Sequence, residues 1–340
     1  MTAEALRPDD LRWDELVDAS PWADVYYRPG YCRAYEAAAH GRAVAVVTER
    51  AVFPLLLRPL PFGEEGFDAV TPYGYGGMLP RGVGTVPATE VRQLRDWCVA
   101  NGVVSCLLRL HPLLGASEQL AANDHAGLEI REHGPTTAVD PRGIDPETGR
   151  LAGMSKGRKA DLTIARRELE LVWAADEEAL ESFRRVYDAT MDRVGAGGFY
   201  LFPPEYYRAL GDGLGDRVAV ALTRRHDEVV GGAIFLADRR FAHYHLSGTT
   251  DTGREHKAGT LLVHAGAEWA AKRGCELLHL GGGTSGADSL FAFKKSFGGE
   301  TYTYAFATLV AEPERYAALV ERRRREAEPP RPDFFPAYRA

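Results

Sequence analysis

Residues 276–299, ELLHLGGGTSGADSLFAFKKSFGG, restrict the fold more than any other part of the chain. They pass from an apolar strand-like run through a glycine-rich bend into a short helical segment, so a strand end and a helix start must lie side by side. On a helix, Leu290, Phe293, Lys294 and Phe297 share one face, whereas Lys295 points about 100° away. A charge among phenylalanines is costly unless something anionic meets it. Lys294 therefore reads in two ways. It is a side chain that snorkels or pairs with a carboxylate, or a cation that stabilises negative charge on a substrate or tetrahedral intermediate. Only six of the 41 basic residues are Lys, at 156, 159, 257, 272, 294 and 295. Arg would have served for simple solubility, so these lysines stand out.

The elements around this stretch follow an α/β order. In the first half the pattern predicts a helix from Trp13 broken at Pro21, another from Pro29, strands over 42–48 and 52–58, a helix over 87–101 and strands over 103–110 and 136–140. Between them lies TPYGYGGMLPRG (71–82), too rich in Gly, Pro and Tyr for a regular element. The segment DPRGIDPETGR (140–150) reads as a domain boundary. Beyond it the spacing predicts a basic amphipathic helix over 155–168, a strand over 169–173 and a helix over 177–194. Three consecutive strands follow, over 217–224, 229–236 and 239–247, then a helix over 259–273 and a last strand over 301–310. The two halves share an element order, which suggests a duplicated fold with diverged sequence.

Several functions are disfavoured at this stage. A net charge of −7 argues against a protein that coats nucleic acid non-specifically, although a local basic patch is compatible with it. No apolar run approaches the roughly 18 residues of a membrane span, and the acidic N-terminus is not expected to be a signal peptide. Cys32, Cys98, Cys106 and Cys275 are scattered without a CxxC pair, a pattern of free thiols in a reducing cytoplasm. Residues 281–286 formally satisfy GxGxxG, but no acidic residue follows about 20 positions on as a dinucleotide site requires. His243 and His245 are placed on one strand face with Tyr244 on the other; no third ligand is suggested nearby, so no metal site is expected.

Basic residues form one further constellation. Lys156, Arg158, Lys159, Arg166 and Arg167 fall within one helical region, as a solvated face or as a contact for a phosphate-bearing substrate. Arg193, beside Gly195-Ala196-Gly197-Gly198, reads as an anion-positioning group or as a surface salt bridge. The order FAHYHLSG, TTDTGREHKAGT, helix, ELLHL matches that of GNAT acyltransferases. Their pyrophosphate loop resembles R/Q-x-x-G-x-G/A, of which Arg254–Gly259 keeps only a late glycine, and this disfavours coenzyme A.

Taken together, MSKGRKADLTIARRELEL (154–171), the 193–200 loop, YHLSGTT (244–250), LLHLGGG with LFAFKKSFGG (277–299) and, in the first half, TPYGYGG (71–77) resemble the FemABX family. The resemblance implies an α/β chain of α+β type with two GNAT-like lobes in tandem and no coiled-coil arm. The first lobe would span 1–148, with 312–340 packing back on it, and the second 149–311. It further implies a cytoplasmic enzyme that moves an amino acid from aminoacyl-tRNA to an amine of a small peptide-like acceptor. That acceptor would be a natural-product intermediate, as in antibiotic biosynthesis, or a peptidoglycan precursor. Aminoacyl-tRNA is then the co-substrate, with no other cofactor, no metal and no DNA partner. By the same resemblance Lys294 and Phe293 are catalytic; Tyr73, Tyr75, Arg193, Tyr200, Tyr244, Ser247, Gly282 and Gly283 line the substrate; and Lys156, Arg158, Lys159 and Lys257 meet tRNA phosphate. The rival reading is a GNAT N-acyltransferase that draws its acyl group from coenzyme A or a carrier.

Overall fold

The structure, a computed structural model, describes residues 3–83, 86–115, 120, 127–174, 176–283, 286–326 and 334–340. The first part of the chain runs β1 (Glu4–Leu6), α1 (Leu11–Ala19), α2 (Pro29–Ala37), β2 (Arg42–Val47), β3 (Ala51–Pro59), β4 (Phe67–Val70) and β5 (Leu79–Pro80). Then come α3 (Ala88–Ala100), β6 (Val103–Arg109), β7 (Leu128–Val139), β8 (Ile144–Asp145) and β9 (Arg150–Leu151). The later part holds α4 (Lys156–Glu168), β10 (Glu170–Ala174), α5 (Glu177–Arg193), α6 (Pro204–Leu214), β11 (Val218–Arg225), β12 (Glu228–Ala237) and β13 (Phe241–Thr249). It closes with α7 (Asp251–Glu255), α8 (Ala258–Lys272), β14 (Leu277–Gly282), α9 (Ser289–Lys295), β15 (Glu300–Val310) and α10 (Pro313–Glu326). Among the described residues there is no coiled-coil arm, and no helix is long and apolar enough to cross a membrane.

Two compact units emerge, residues 1–133 with 304–340 and residues 134–303. The sequence reading instead divides the chain at 148/149 and 311/312. Residues 140–150 have the Pro, Gly and Asp content of a linker, yet they form a turn and the β8–β9 hairpin inside the second unit. The strands explain the difference. Residues 136–139 of β7 pair with β14 in the second unit, and residues 306–310 of β15 pair with β6 in the first. Each unit thus takes its last strand from the chain segment that follows the other.

In the first unit β1–β2–β3–β4 form an antiparallel run, and β4 then pairs in parallel with β6 through the crossover helix α3. Leu94, Trp97 and Cys98 of α3 pack into a core with Phe53, Leu55, Leu108 and Leu309. Tyr26, Tyr27, Tyr31 and Tyr35 are fully buried, and the Tyr31 ring packs against Tyr26 and Tyr35 with centroids 5.0 and 5.2 Å apart. The C-terminal residues belong to this unit: Tyr338 Oη and Ser105 Oγ are 2.8 Å apart, and Arg339 meets the buried Asp68.

The second unit repeats the plan. Strands β10–β13 form an antiparallel run, and β13 pairs in parallel with β14 through α8. Right-handed crossover is the usual solution for such a strand–helix–strand connection. Adjacent glycines in β12 let helices approach both faces. A Cβ on Gly231 would lie 3.1 Å from Ala258 of α8, and one on Gly232 would lie 2.9 Å from Phe183 of α5. On α8, Gly266 leaves the space that the Phe235 ring fills, since a Cβ there would fall 2.1 Å from its Cε1.

Gly266→Ala should therefore overpack the second core. Alanine gains roughly 1 kcal/mol of helix propensity, but forcing the Phe235 ring aside should leave a net loss of about 1–3 kcal/mol. Urea unfolding followed by circular dichroism measures it, and an unchanged midpoint would contradict this packing.

Candidate functional site

Three consecutive glycines end β14, and each has its own reason. The ladder to β7 slips between His279 and Gly281, and Gly281 sits at φ +77°, a left-handed bulge that favours glycine. A Cβ on Gly282 would lie 2.7 Å from the Pro135 carbonyl oxygen. One on Gly283 would lie 2.2 Å from Asp288 Oδ1. Thr284 and Ser285 lie outside the described residues. Asp288 then caps α9, its Oδ1 accepting from the Phe291 amide at 2.9 Å.

On α9 the two lysines part. Lys294 is half-buried, and its Nζ donates to the Gly282 carbonyl at 2.8 Å, returning the helix to the strand end that precedes it. Burial lowers its pKa from the ordinary value to about 8, while the Asp288 carboxylate acts in the opposite direction. Lys295 is exposed and bonds the Gly299 carbonyl. A protonated lysine has three donors. Among the described residues Gly282 engages one of those on Lys294, which leaves donors for an oxyanion.

The segment after α9 is clamped. The Ser155 amide donates to Ser296 O at 3.0 Å, and Phe297 is fully buried. Gly298, at φ +89°, passes so close to Gly153 that a Cβ would lie 2.5 Å from its carbonyl carbon. Phe293 stands edge-on to Phe297, with ring centroids 5.3 Å apart, and Arg158 lies over its ring at 5.1 Å. Arg158, expected from the sequence to meet phosphate, meets Asp161 at 2.9 Å and Thr260 Oγ1 at 3.0 Å through its Nη1.

Strand β13 carries a correction. Its register with β12 shifts between Ile234 and Phe235, so that Tyr244 opposes Phe235, Leu246 opposes Ile234 and His245 is the extra residue. The bulge brings Tyr244 and Ser247 onto one face. Strict alternation, which sets His243 and His245 opposite Tyr244, therefore breaks at this point. Burial drives the His245 pKa down to about 3, and its Nε2 lies 2.9 Å from the Tyr206 hydroxyl. The parallel ladder between β13 and β14 ends at His243 and His279.

The other sequence candidates are spread more widely. Arg193 ends α5 and lies 3.8 Å from Asp251, which also holds Arg254 at 2.9 Å. Tyr200 is half-buried in the turn Gly198–Tyr200. Lys257 heads α8 in the left-handed region at φ +65°. Lys156 and Lys159 are exposed on α4, without an ion pair among the described residues. Tyr73 and Tyr75 belong to the first unit, where the Tyr75 ring packs edge-on against Tyr26 and Tyr304 at 5.8 and 4.9 Å. Within the second unit, then, Phe293, Lys294, Gly282, Gly283 and Arg158 are brought together. Asp288 joins them. It was overlooked in the sequence, although Asp before Ser-Leu-Phe is an ordinary helix cap.

A family model described as an acetyltransferase (GNAT) domain matches residues 155–295, from the cap of α4 to the end of α9. A search of curated proteins finds no significant match. Among solved structures, FemX aligns with a TM-score of 0.68 at 14% identity, covering 93% of this chain and 99% of that one. The chain has a FemABX-like tandem GNAT fold. The C-terminal domain (DUF2156) of a putative lysylphosphatidylglycerol synthetase from Agrobacterium fabrum aligns at TM-score 0.55 and 15% identity, covering 90% of this chain and 95% of that one. A tandem GNAT protein from the clavulanic acid biosynthesis pathway aligns at 0.53 and 14%, covering 91% and 98%. The segment matched by the family model contains all of α9, and so the half-buried lysine.

A lysine with a folded-state pKa near 8 carries a stability signature. Between pH 8 and about 10.5 the unfolded chain binds more protons at this group than the folded one, so its contribution to stability rises with pH. The difference in unfolding free energy between the wild type and Lys294→Met should move by about 1–3 kcal/mol in favour of the wild type across that window. A pH-independent difference would show that Lys294 titrates normally.

Proposed function

We propose that this protein is an aminoacyltransferase that moves an amino acid from aminoacyl-tRNA to the amine of a small peptide-like acceptor. The observation that carries the reading is the half-buried ammonium of Lys294, bonded to Gly282 O beside Phe293 in a FemABX-like fold. An aminoacyl ester is already activated, so the enzyme must align an unprotonated amine with the ester carbonyl and steady the oxyanion that forms. Attack makes the new C–N bond, and collapse of the tetrahedral intermediate breaks the C–O bond to the ribose. Lys294 donates a hydrogen bond to the oxyanion. With its pKa lowered to about 8, it is a readier proton donor to the departing ribose oxygen than an ordinary lysine, and the proton shed by the attacking nitrogen returns it to the ammonium form. No nucleophilic thiol is needed, and the four cysteines are buried.

In this reading Tyr244, Ser247, Tyr200, Arg193, Gly282 and Gly283 contribute to substrate binding. Exposed Lys156 and Lys159, with Lys257, meet tRNA phosphates. The reaction runs in the cytoplasm, with tRNA rather than DNA as the nucleic-acid partner and without a further cofactor. The acceptor is a natural-product intermediate or a peptidoglycan precursor; the solved structures of similar fold include a clavulanic acid pathway protein.

Incubation with total tRNA charged with radiolabelled amino acids should move label into a small-molecule or peptide product, and RNase should abolish the transfer. Lys294→Met should lower the rate by roughly 100-fold or more while circular dichroism stays unchanged. Wild-type activity in that variant would sink the assignment. Transfer from acyl-coenzyme A alone would favour an ordinary GNAT acyltransferase.

A further inference from the structure

We infer that Arg158 is a positioning residue for this site: through the ring of Phe293 it holds α9 in register with β14, and it does not bind phosphate. The inference rests on the proposed aminoacyl transfer for its activity readout but not for its geometry. The guanidinium is partly exposed, and its Nη1 is turned onto partners within the protein. Asp161 and Thr260 hold it at 2.9 and 3.0 Å, and it lies over Phe293 at 5.1 Å. On the α8 side a Cβ on Gly259 would lie 3.6 Å from Phe293 Cζ, and Phe297 closes a third side.

The partly buried ring is thus flanked by α4, α8 and Phe297, and the next residue along its helix is Lys294. Two further contacts join the same elements, the Ser155–Ser296 hydrogen bond and the Gly153–Gly298 approach. Both act past the end of α9, at residues 296 and 298, whereas Arg158 acts on the residue next to Lys294, since a planar guanidinium can stack on an aromatic face while its Nη1 meets a carboxylate and a hydroxyl. Lysine offers a point charge and no plane. The charged and titratable groups on the elements that meet α9 are Asp288 and Lys295 at its two ends, Lys156, Arg158, Lys159, Asp161, Arg166, Arg167 and Glu168 on α4, Lys257, His264, Glu268 and Lys272 at and along α8, and His279 on β14. Of these, Asp288 supplies the opposing charge at Lys294.

Kinetics of Arg158→Ala, Arg158→Lys and Thr260→Val test the inference, with Phe293→Leu as the partner for a double-mutant cycle. Arg158→Ala should lower kcat by about 10- to 100-fold with KM for aminoacyl-tRNA changed less than about twofold, as expected for a displaced reacting group. Arg158→Lys should fail to rescue it, and Thr260→Val should give a smaller loss in the same direction. In the Phe293→Leu background, removal of Arg158 should have little further effect, since the two act as one unit. A raised, salt-dependent KM with unchanged kcat would overturn the inference in favour of a phosphate contact, and so would additivity in the cycle.

A second readout does not depend on the reaction. The pH dependence of Lys294 acylation by an amine-reactive ester, followed by mass spectrometry, reports its exposure. Its midpoint should rise towards that of an ordinary lysine in Arg158→Ala and Thr260→Val. An unchanged midpoint in both variants overturns the positioning role even if no aminoacyl transfer is ever found. A shifted midpoint in a protein with no transfer activity supports the role while rejecting the proposed reaction.

Discussion

One ammonium–carbonyl hydrogen bond, from Lys294 to Gly282, ties the last turn of a seven-residue helix to the strand end that feeds it. So short a helix is not stable alone. It exists because its first turn is capped by Asp288, its last residues lie against Gly153 and Ser155, and Phe297 is sunk in the core. The Lys294 bond closes this loop, and the same enclosure takes water from the ammonium. Position and lowered pKa have one cause. The glycines follow from it: side chains at 282 or 283 would collide with Pro135 O or Asp288 and push strand and helix apart.

The sheet beneath ends its parallel ladder beside this bond. Strands β13 and β14 pair in parallel over only three residues, and each then carries an irregularity, one at His245 and the other at Gly281. A bulge bends and twists its strand locally. Two bulges just past the last paired residues end the ladder where Tyr244, Ser247 and the Gly282 carbonyl are presented. The extra residue in β13 also puts Tyr244 and Ser247, three positions apart, on one face, which regular alternation forbids.

Much of this fold was legible because its elements are strongly patterned. Helix α5 buries Phe183, Val186 and Tyr187 along one stripe, and the three strands after α6 have short polar turns between them. The different fates of Lys294 and Lys295 follow from helical spacing alone. Three features were hidden. The unit boundaries were misread because residues 140–150 have the composition of a linker, while the exchange of last strands depends on pairing between distant residues. The β13 bulge leaves no mark in FAHYHLSG, since a register shift is a property of two strands. Arg158 looked like part of a basic surface because its partner Thr260 is 102 positions away.

The duplicated plan also explains why chemistry is sought in only one unit. Both contain a parallel pair joined by a crossover helix, β4–α3–β6 in the first and β13–α8–β14 in the second. After β14 the chain makes a glycine bulge and a helix whose lysine keeps donors to offer. After β6 it makes instead a short turn in which His111 accepts from the Leu113 amide at 3.2 Å. The other ring nitrogen of His111 lies 3.5 Å from Asp24, and both side chains are fully buried. Tyr27 stacks on the imidazole, with ring centroids 6.2 Å apart. The position that in the second unit carries a half-exposed cation is thus sealed in the first by an aromatic–carboxylate cluster. A sealed polar cluster gives rigidity and a unique packing, whereas a half-buried ammonium gives up stability for a poised charge. One unit has kept each solution.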